Sequence, residues 1–302
     1  MVLFGPEGHV RQLVAQSVPD RLEVHYLSFL TWSRRRWSRV VADRVRGWRE
    51  RKLIVHHVCN EPVEYRRFRM LGLRALYANH NLMLAEKIFA PIHGITKQFD
   101  AVYNAQAWPY KRIELASAIQ SLRFITATDV KWHDRIREAG CGHAVTNQSY
   151  LSREEVAIAL NECHCGLALS AEEGTMLACT EYLLCGLPVV STPSIGGRDV
   201  WLDEYNSILV EPDREAVADA VHRFVSESRD PERIRSGTLA RMHRFRQALV
   251  DYVNDTIART NAISVTDLFG DGAGMTSRFV DQKQLPELFM SCRHRRFDGA
   301  KD

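Results

Sequence analysis

The 302-residue sequence predicts an α/β protein of two doubly wound domains. Three observations carry that expectation. Short β-branched and apolar runs alternate with helix-length amphipathic stretches along most of the chain. A break bearing Pro and Gly divides this alternation into a shorter first block and a longer second one. The composition, 45% hydrophobic and 25% charged, is that of a chain able to bury a sizeable core.

In chain order, Leu22–Phe29, Leu53–Asn60 and Ala75–Asn81 read as strands of the first block. Phe99–Asn104, Arg123–Ala127, His143–Asn147, Gly166–Ser170, Pro188–Thr192 and Ser207–Val210 read as strands of the second. Helical patterns between strands require crossover connections, hence parallel sheets covered on both faces. Ligands in such sheets sit beyond the carboxyl ends of strands, so ligand residues should follow strands rather than precede them. Phe89–Thr96 loses periodicity and marks the break, giving an N-terminal domain over residues 1–96 and a C-terminal one over 97–230. Beyond Pro231 a long basic helix is expected to about Arg259, then an irregular tail with Asp271-Gly272-Ala273-Gly274, together residues 231–302.

Forty Lys plus Arg against thirty-seven Asp plus Glu leave a net charge of +3, so no global field demands a nucleic acid or an acidic polymer as partner. No apolar run approaches the ~20 residues needed to cross a bilayer, and Met1–Pro6 lacks the charged flank of a signal peptide. A cytoplasmic protein is expected. Seven cysteines are an odd number, and Cys163, Cys165, Cys179 and Cys185 fall in apolar stretches, which suits buried free thiols better than a disulfide framework.

The stretch Cys165–Thr192 holds the chemistry: it reads strand, tight loop, helix, Gly stop, strand. Gly174 lets the backbone approach a ligand, and the amides of Thr175 and Met176 at the expected helix start form an anion site that a diphosphate fits. Glu173 precedes the helix and Glu181 lies within it, separated by roughly 10 Å at ~1.5 Å per residue. Carboxylates accept hydrogen bonds from vicinal hydroxyls, so acids at both ends of a phosphate-binding helix suit a sugar at one end and a ribose at the other. A surface acid plus a helix-face acid remains the plain alternative.

With its Ser-terminated strand, Glu173-Gly174 pair, second Glu181 and Cys185-Gly186-Leu187-Pro188-Val189-Val190, this run resembles the Glu-x7-Glu element of the retaining GT-B glycosyltransferases of family 4. Looser similarity continues through Ser194–Gly197, Asn206–Asp213 and Ala216–Ala220, so the resemblance spans about Phe99 to Phe224. It implies a GT-B-like fold in which Glu173 contacts the donor sugar and Glu181 the nucleotide ribose. Gly174, Thr175 and Met176 would meet the sugar and diphosphate. It also implies an Arg and a Lys on the diphosphate, after the first strand of the C-terminal domain. Lys111 matches the lysine, while Ala105 stands where the arginine is expected and Arg112 is the candidate replacement. The N-terminal block, with room for roughly three or four strand–helix units, then reads as an abbreviated acceptor-side domain. Leu76–Asn81 and Ile88–Pro91 resemble the segment ending that domain in the family. The implied activity is transfer of a sugar from a nucleoside-diphosphate sugar to an acceptor hydroxyl, with retention, without metal and without a further cofactor.

Other residues invite weaker readings. His56, His57 and His80 end predicted strands, where an imidazole bonds a sugar hydroxyl or simply packs. His80 is the one retained for substrate binding. Cys163-His164-Cys165 suggests zinc, but the paired C-x2–4-C spacing of structural sites is absent, and no Asp-x-Asp-like site follows a strand. Trp32-Ser33-Arg34-Arg35-Arg36-Trp37-Ser38-Arg39, continuing to Lys52, concentrates cations and tryptophans on an expected helix. That composition suits an anionic membrane surface, and equally a solvated helix whose arginine stems cover a sheet. A nucleotide-sugar epimerase of related fold, acting on donor alone, and a non-catalytic GT-B-like interaction module remain the alternatives.

Overall fold

The computed structural model describes residues 2–4, 24–28, 53–257 and 262–270. Within them every strand pairing is parallel, and the strands form two sheets. The first contains β1 (Val2–Phe4), β2 (Val24–Ser28), β3 (Leu53–Cys59) and β4 (Ala75–Tyr77), in spatial order 1-2-3-4. Helix α1 (Pro62–Met70) joins β3 to β4, with Pro62 in its first turn, where the missing N–H is no loss.

The second sheet holds β5 (Phe99–Asn104), β6 (Leu122–Ile125), β7 (Val145–Thr146), β8 (Cys163–Ala168), β9 (Val189–Ser191) and β10 (Ser207–Leu209), in the order 10-9-8-5-6-7. Helix α2 (Val130–Ile136) follows β6, α3 (Arg153–Asn161) follows β7, α4 (Leu177–Leu184) follows β8, and α5 (Arg214–Ser226) follows β10. Numbered within this sheet the order is 3-2-1-4-5-6 read from its far edge, the doubly wound arrangement in which the chain reverses direction between β5 and β8. The central strands are buried on both faces, as Ala101, Val102 and Tyr103 of β5 and Cys163, Cys165, Leu167 and Ala168 of β8 show.

Helix α4 ends as its sequence dictates. Gly186 takes φ 75°, its amide donates to Leu183 O, and Leu187 N donates to Tyr182 O, closing the helix with a left-handed cap that glycine adopts without strain.

Helix α6 (Pro231–Thr256) is the expected long basic helix, capped by the Asp230 side chain. At ~1.5 Å per residue it runs about 39 Å, and it joins the two sheets. Arg235, near its start, donates to Leu184 O at the end of α4 and to Glu86 O and Phe89 O in the connection between sheets. Further on, Arg246 donates to Leu82 O and Leu84 O and pairs with Glu86, while Leu249 and Val253 pack with Leu27, Val58, Ala78 and Phe269 of α7 (Val265–Phe269).

The strand after α3 begins at Cys163 rather than Gly166, and Ser170 lies beyond its end. The chain leaves the sheet after Ala168, and the Leu169 and Ser170 carbonyls accept from the side chains of Arg112, Thr192 and Arg198. The basic segment Trp32–Lys52 and the Gly-rich tail after 270 lie outside the described residues. Among the described residues no helix is long and apolar enough to cross a membrane.

Candidate active site

Reversal of the crossovers between β5 and β8 leaves a crevice at the carboxyl edge of the second sheet. The loops after β5 and β8 border it and are tied together by Ala171 N donating to Tyr110 O at 2.8 Å. After β5 the chain makes a single 3-10 turn, Pro109–Lys111, and the Tyr103 hydroxyl donates to Lys111 O. This turn brings the Lys111 ammonium onto Glu173 Oε1, and Ser170 Oγ donates to the same oxygen at 2.9 Å. The Lys111 and Glu173 side chains are each 12% exposed, so their charges meet where solvent screens them little.

Arg112, next in sequence, takes a left-handed φ of 50°, which turns its side chain across the strand ends. Its Nε donates to Leu169 O at 2.7 Å, and its Nη2 to Thr192 Oγ1 at 3.0 Å and Pro193 O at 2.9 Å. Burial, then the neighbouring Arg198, disfavours its charge. Arg198 is a residue that sequence reasoning missed. It is fully buried, donates to Ala168 O, Ser170 O and Thr192 O, and pairs with Asp199. The available signal was an arginine directly after Gly196-Gly197, just past a strand. Two guanidinium groups thus hold the exits of β8 and β9.

Helix α4 begins at Leu177, two residues later than the sequence suggests, because Met176 sits at φ 47° and leaves the helical region. Met176 offers no side-chain cap. Among the described residues the amides of Thr175, Met176 and Leu177 meet no acceptor, as expected of an uncapped helix start. Glu181 lies in this helix and accepts from Asn104 Nδ2 at 3.2 Å, so the last residue of β5 orients it. Burial pushes its carboxyl up to about 7, against the opposing pull of Arg153 and of the Asn104 hydrogen bond. The side chain nonetheless keeps an accessible edge. Glu173 and Glu181 therefore both converge on the loop and strand end of β5, one through Lys111 and the other through Asn104.

The N-terminal half meets this site through three buried asparagines. Asn79 Nδ2 donates to Asn60 O and Gly197 O, and its Oδ1 accepts from Trp201 Nε1. Asn81 Nδ2 donates to Thr175 O, Met176 O and Thr180 Oγ1. A Cβ on Gly197 would come within 2.4 Å of Asn60 O and 2.6 Å of Gly174 O, so only glycine lets these three backbones meet. His80 stands between the two asparagines, half-buried, its backbone amide on Asn60 Oδ1 and its imidazole pKa lowered by burial.

His56 and His57 lie apart from the crevice. His56 bridges His25 and the Tyr252 hydroxyl of α6 at 2.9 and 2.8 Å, and burial, then His25, Arg74 and His57, lower its pKa to about 3. His57 packs edge-on against Phe68. The thiols of Cys163 and Cys165 meet the carbonyls of Ala159 and Asp100. Among the described residues no three His, Cys, Asp or Glu side chains are grouped to hold a metal ion.

Residues 97–227 match the family described as glycosyl transferases group 1. No curated protein matches the chain by sequence. Solved structures do match in fold. HepE of Anabaena in complex with UDP aligns with a TM-score of 0.61 at 13% identity, covering 84% of this chain and 78% of its own. Sucrose-phosphate synthase from Thermosynechococcus elongatus aligns at 0.56 and 17% identity, over 83% and 71%. TarM of S. aureus aligns at 0.61 and 11% identity, over 84% of this chain and 55% of that one. The fold shared with these proteins is GT-B. Its switch-point crevice is built by residues 97–227, the segment that matches the glycosyl transferases group 1 family.

Proposed function

We propose that the protein moves a sugar from a nucleoside-diphosphate sugar to an acceptor hydroxyl, with retention of anomeric configuration and without a metal ion. One observation carries this reading. Lys111, the paired carboxylates Glu173 and Glu181, and the uncapped start of α4 converge at the switch point of the group 1 domain. In this reading the α4 amides and Lys111 take the diphosphate, Glu181 takes the ribose hydroxyls, and Glu173 takes the sugar. Gly174 lets the donor approach the backbone. Arg112 stays on its three oxygens and shapes the site, adding positive field rather than direct contact. His80, at the junction of the two halves, would contact substrate.

The chemistry needs no protein nucleophile. The bond from the anomeric carbon to the diphosphate breaks, a bond to the acceptor oxygen forms on the same face, and the hydroxyl proton passes to the leaving diphosphate. Positive charge at the leaving group matters most because negative charge accumulates there in the transition state. The N-terminal half, residues 1–96, would present the acceptor.

Thermal-shift titration with UDP, GDP, ADP and their sugars tests the reading. A ligand at a hundred times its Kd should add ~2.7 kcal/mol of stability. UDP and UDP-glucose come first, since HepE has been solved with both. A folded protein that binds none of them at millimolar concentration by calorimetry defeats the assignment and favours a non-catalytic module.

A further inference from the structure

We propose that Asn81, which belongs to the N-terminal half, is a positioning residue that aims the Met176 and Leu177 amides at the distal phosphate of a bound nucleoside diphosphate; this rests on the donor site proposed above. Asn81 is fully buried. Its Nδ2 donates to Thr175 O at 2.9 Å, to Met176 O at 3.3 Å and to Thr180 Oγ1 at 2.6 Å. Two carbonyl acceptors on one side require the NH2 group to lie there, which determines how the amide is turned.

The consequence follows from the planarity of the peptide unit. No peptide bond among the described residues is cis, so each C=O points opposite to the N–H that follows it. Holding Thr175 O therefore directs Met176 N–H away from Asn81, and holding Met176 O does the same for Leu177 N–H. Both N–H groups belong to the start of α4, where no side chain caps them. Met176 is one of two non-glycine residues with positive φ among those described, a conformation that its own side chain disfavours and that the Asn81 contacts hold in place.

A second observation comes from the other end of the same side chain. Asn81 Oδ1 is buried without a hydrogen-bond partner among the described residues. A residue retained only for packing would not carry an unpaired oxygen in a fully buried place, since most buried polar atoms are satisfied. Its donor end explains why an amide stands here. The diphosphate cradle is thus built from both halves of the molecule: the C-terminal half supplies the amides and the N-terminal half sets their direction. Asn79, two residues earlier, ties the same segment to Gly197 O at 2.8 Å and steadies the reach of Asn81.

The test separates phosphate from base. Asn81→Asp keeps the shape but puts an oxygen before the two carbonyls; Asn81→Ala removes the donor. Calorimetry on the full chain compares UDP with UMP, and GDP with GMP, for wild type and both variants. The expected result is a fall in diphosphate affinity of about tenfold or more, equal to ~1.4 kcal/mol, with monophosphate affinity changed no more than about threefold. Equal losses for both nucleotides, or no loss for either, overturn the proposal. A wild type that binds neither diphosphate removes the donor site itself, a different failure. Should neither variant fold, the wild type still decides: UDP must shift the amide NMR resonances of Met176 and Leu177, and unshifted resonances in a UDP-saturated sample overturn the role.

Discussion

Glu181→Gln should make the protein more stable and a poorer binder at once, and the size of both effects follows from the carboxyl's surroundings. Burial raises its pKa from 4.5 to about 7. Below 4.5 the folded and unfolded chains both hold the proton, and the group costs nothing. Between 4.5 and about 7 the unfolded chain releases its proton while the fold retains it, so stability falls as pH rises. Above about 7 the fold carries the full cost of a buried carboxylate, on the order of 3 kcal/mol, reduced by the accessible edge of the side chain. Glutamine keeps the shape and still accepts from Asn104, but has no charge to bury. Urea denaturation of both proteins at about pH 5 and about pH 8 should show a gap that opens in favour of the variant as pH rises. UDP affinity at the higher pH should move the other way, because a charge-assisted acceptor for ribose hydroxyls, worth ~1.5–3 kcal/mol, is gone. Parallel stability profiles would refute the displaced carboxyl, and unchanged UDP affinity in the folded variant would refute the ribose role.

Four further expectations rest on the same geometry. Gly197→Ala forces a Cβ against Asn60 O and Gly174 O, so it should destabilise by about 1–3 kcal/mol and weaken UDP binding; a variant with wild-type melting temperature shows that the backbones part freely. Lys111→Ala should lower turnover more than donor binding, because the charge it meets is greatest as the glycosidic bond breaks, whereas equal effects on both would mark it as a binding group only. Arg112→Ala, in comparison, should reduce stability along with activity, since three oxygens lose a charged donor. Arg198→Met takes a charge-assisted donor from three carbonyls and the partner from Asp199 and should cost about 1–3 kcal/mol; Arg198→Lys should recover little of it, lacking the planar fork, and a thermal melt close to wild type for either would contradict that assignment.

Local patterns made much of the second sheet legible. Phe99–Asn104 forms a strand at the expected bounds, and the other expected strands of that sheet lie within a few residues of their places, because β-branched runs bounded by polar turns carry short-range information. The Gly186 stop was equally readable, since a helix end needs a residue that accepts positive φ. Val2–Phe4 escaped notice: three residues are too few for any period to show.

The site divides along the same line. The order Glu173-Gly174-Thr175-Met176 and the later Glu181 determined which residues stand beside the crevice, because a strand–loop–helix unit delivers them there wherever it occurs. Only the tertiary structure decided what they meet. Met176 leaves the helical region beside an asparagine 95 residues earlier in the chain, Lys111 reaches Glu173 across two loops, and Arg198 spends its guanidinium on carbonyls from two strand ends. The raised Glu181 carboxyl has the same origin, for desolvation is set by every atom packed around a group, and none of that packing is written in the eight residues on either side of it.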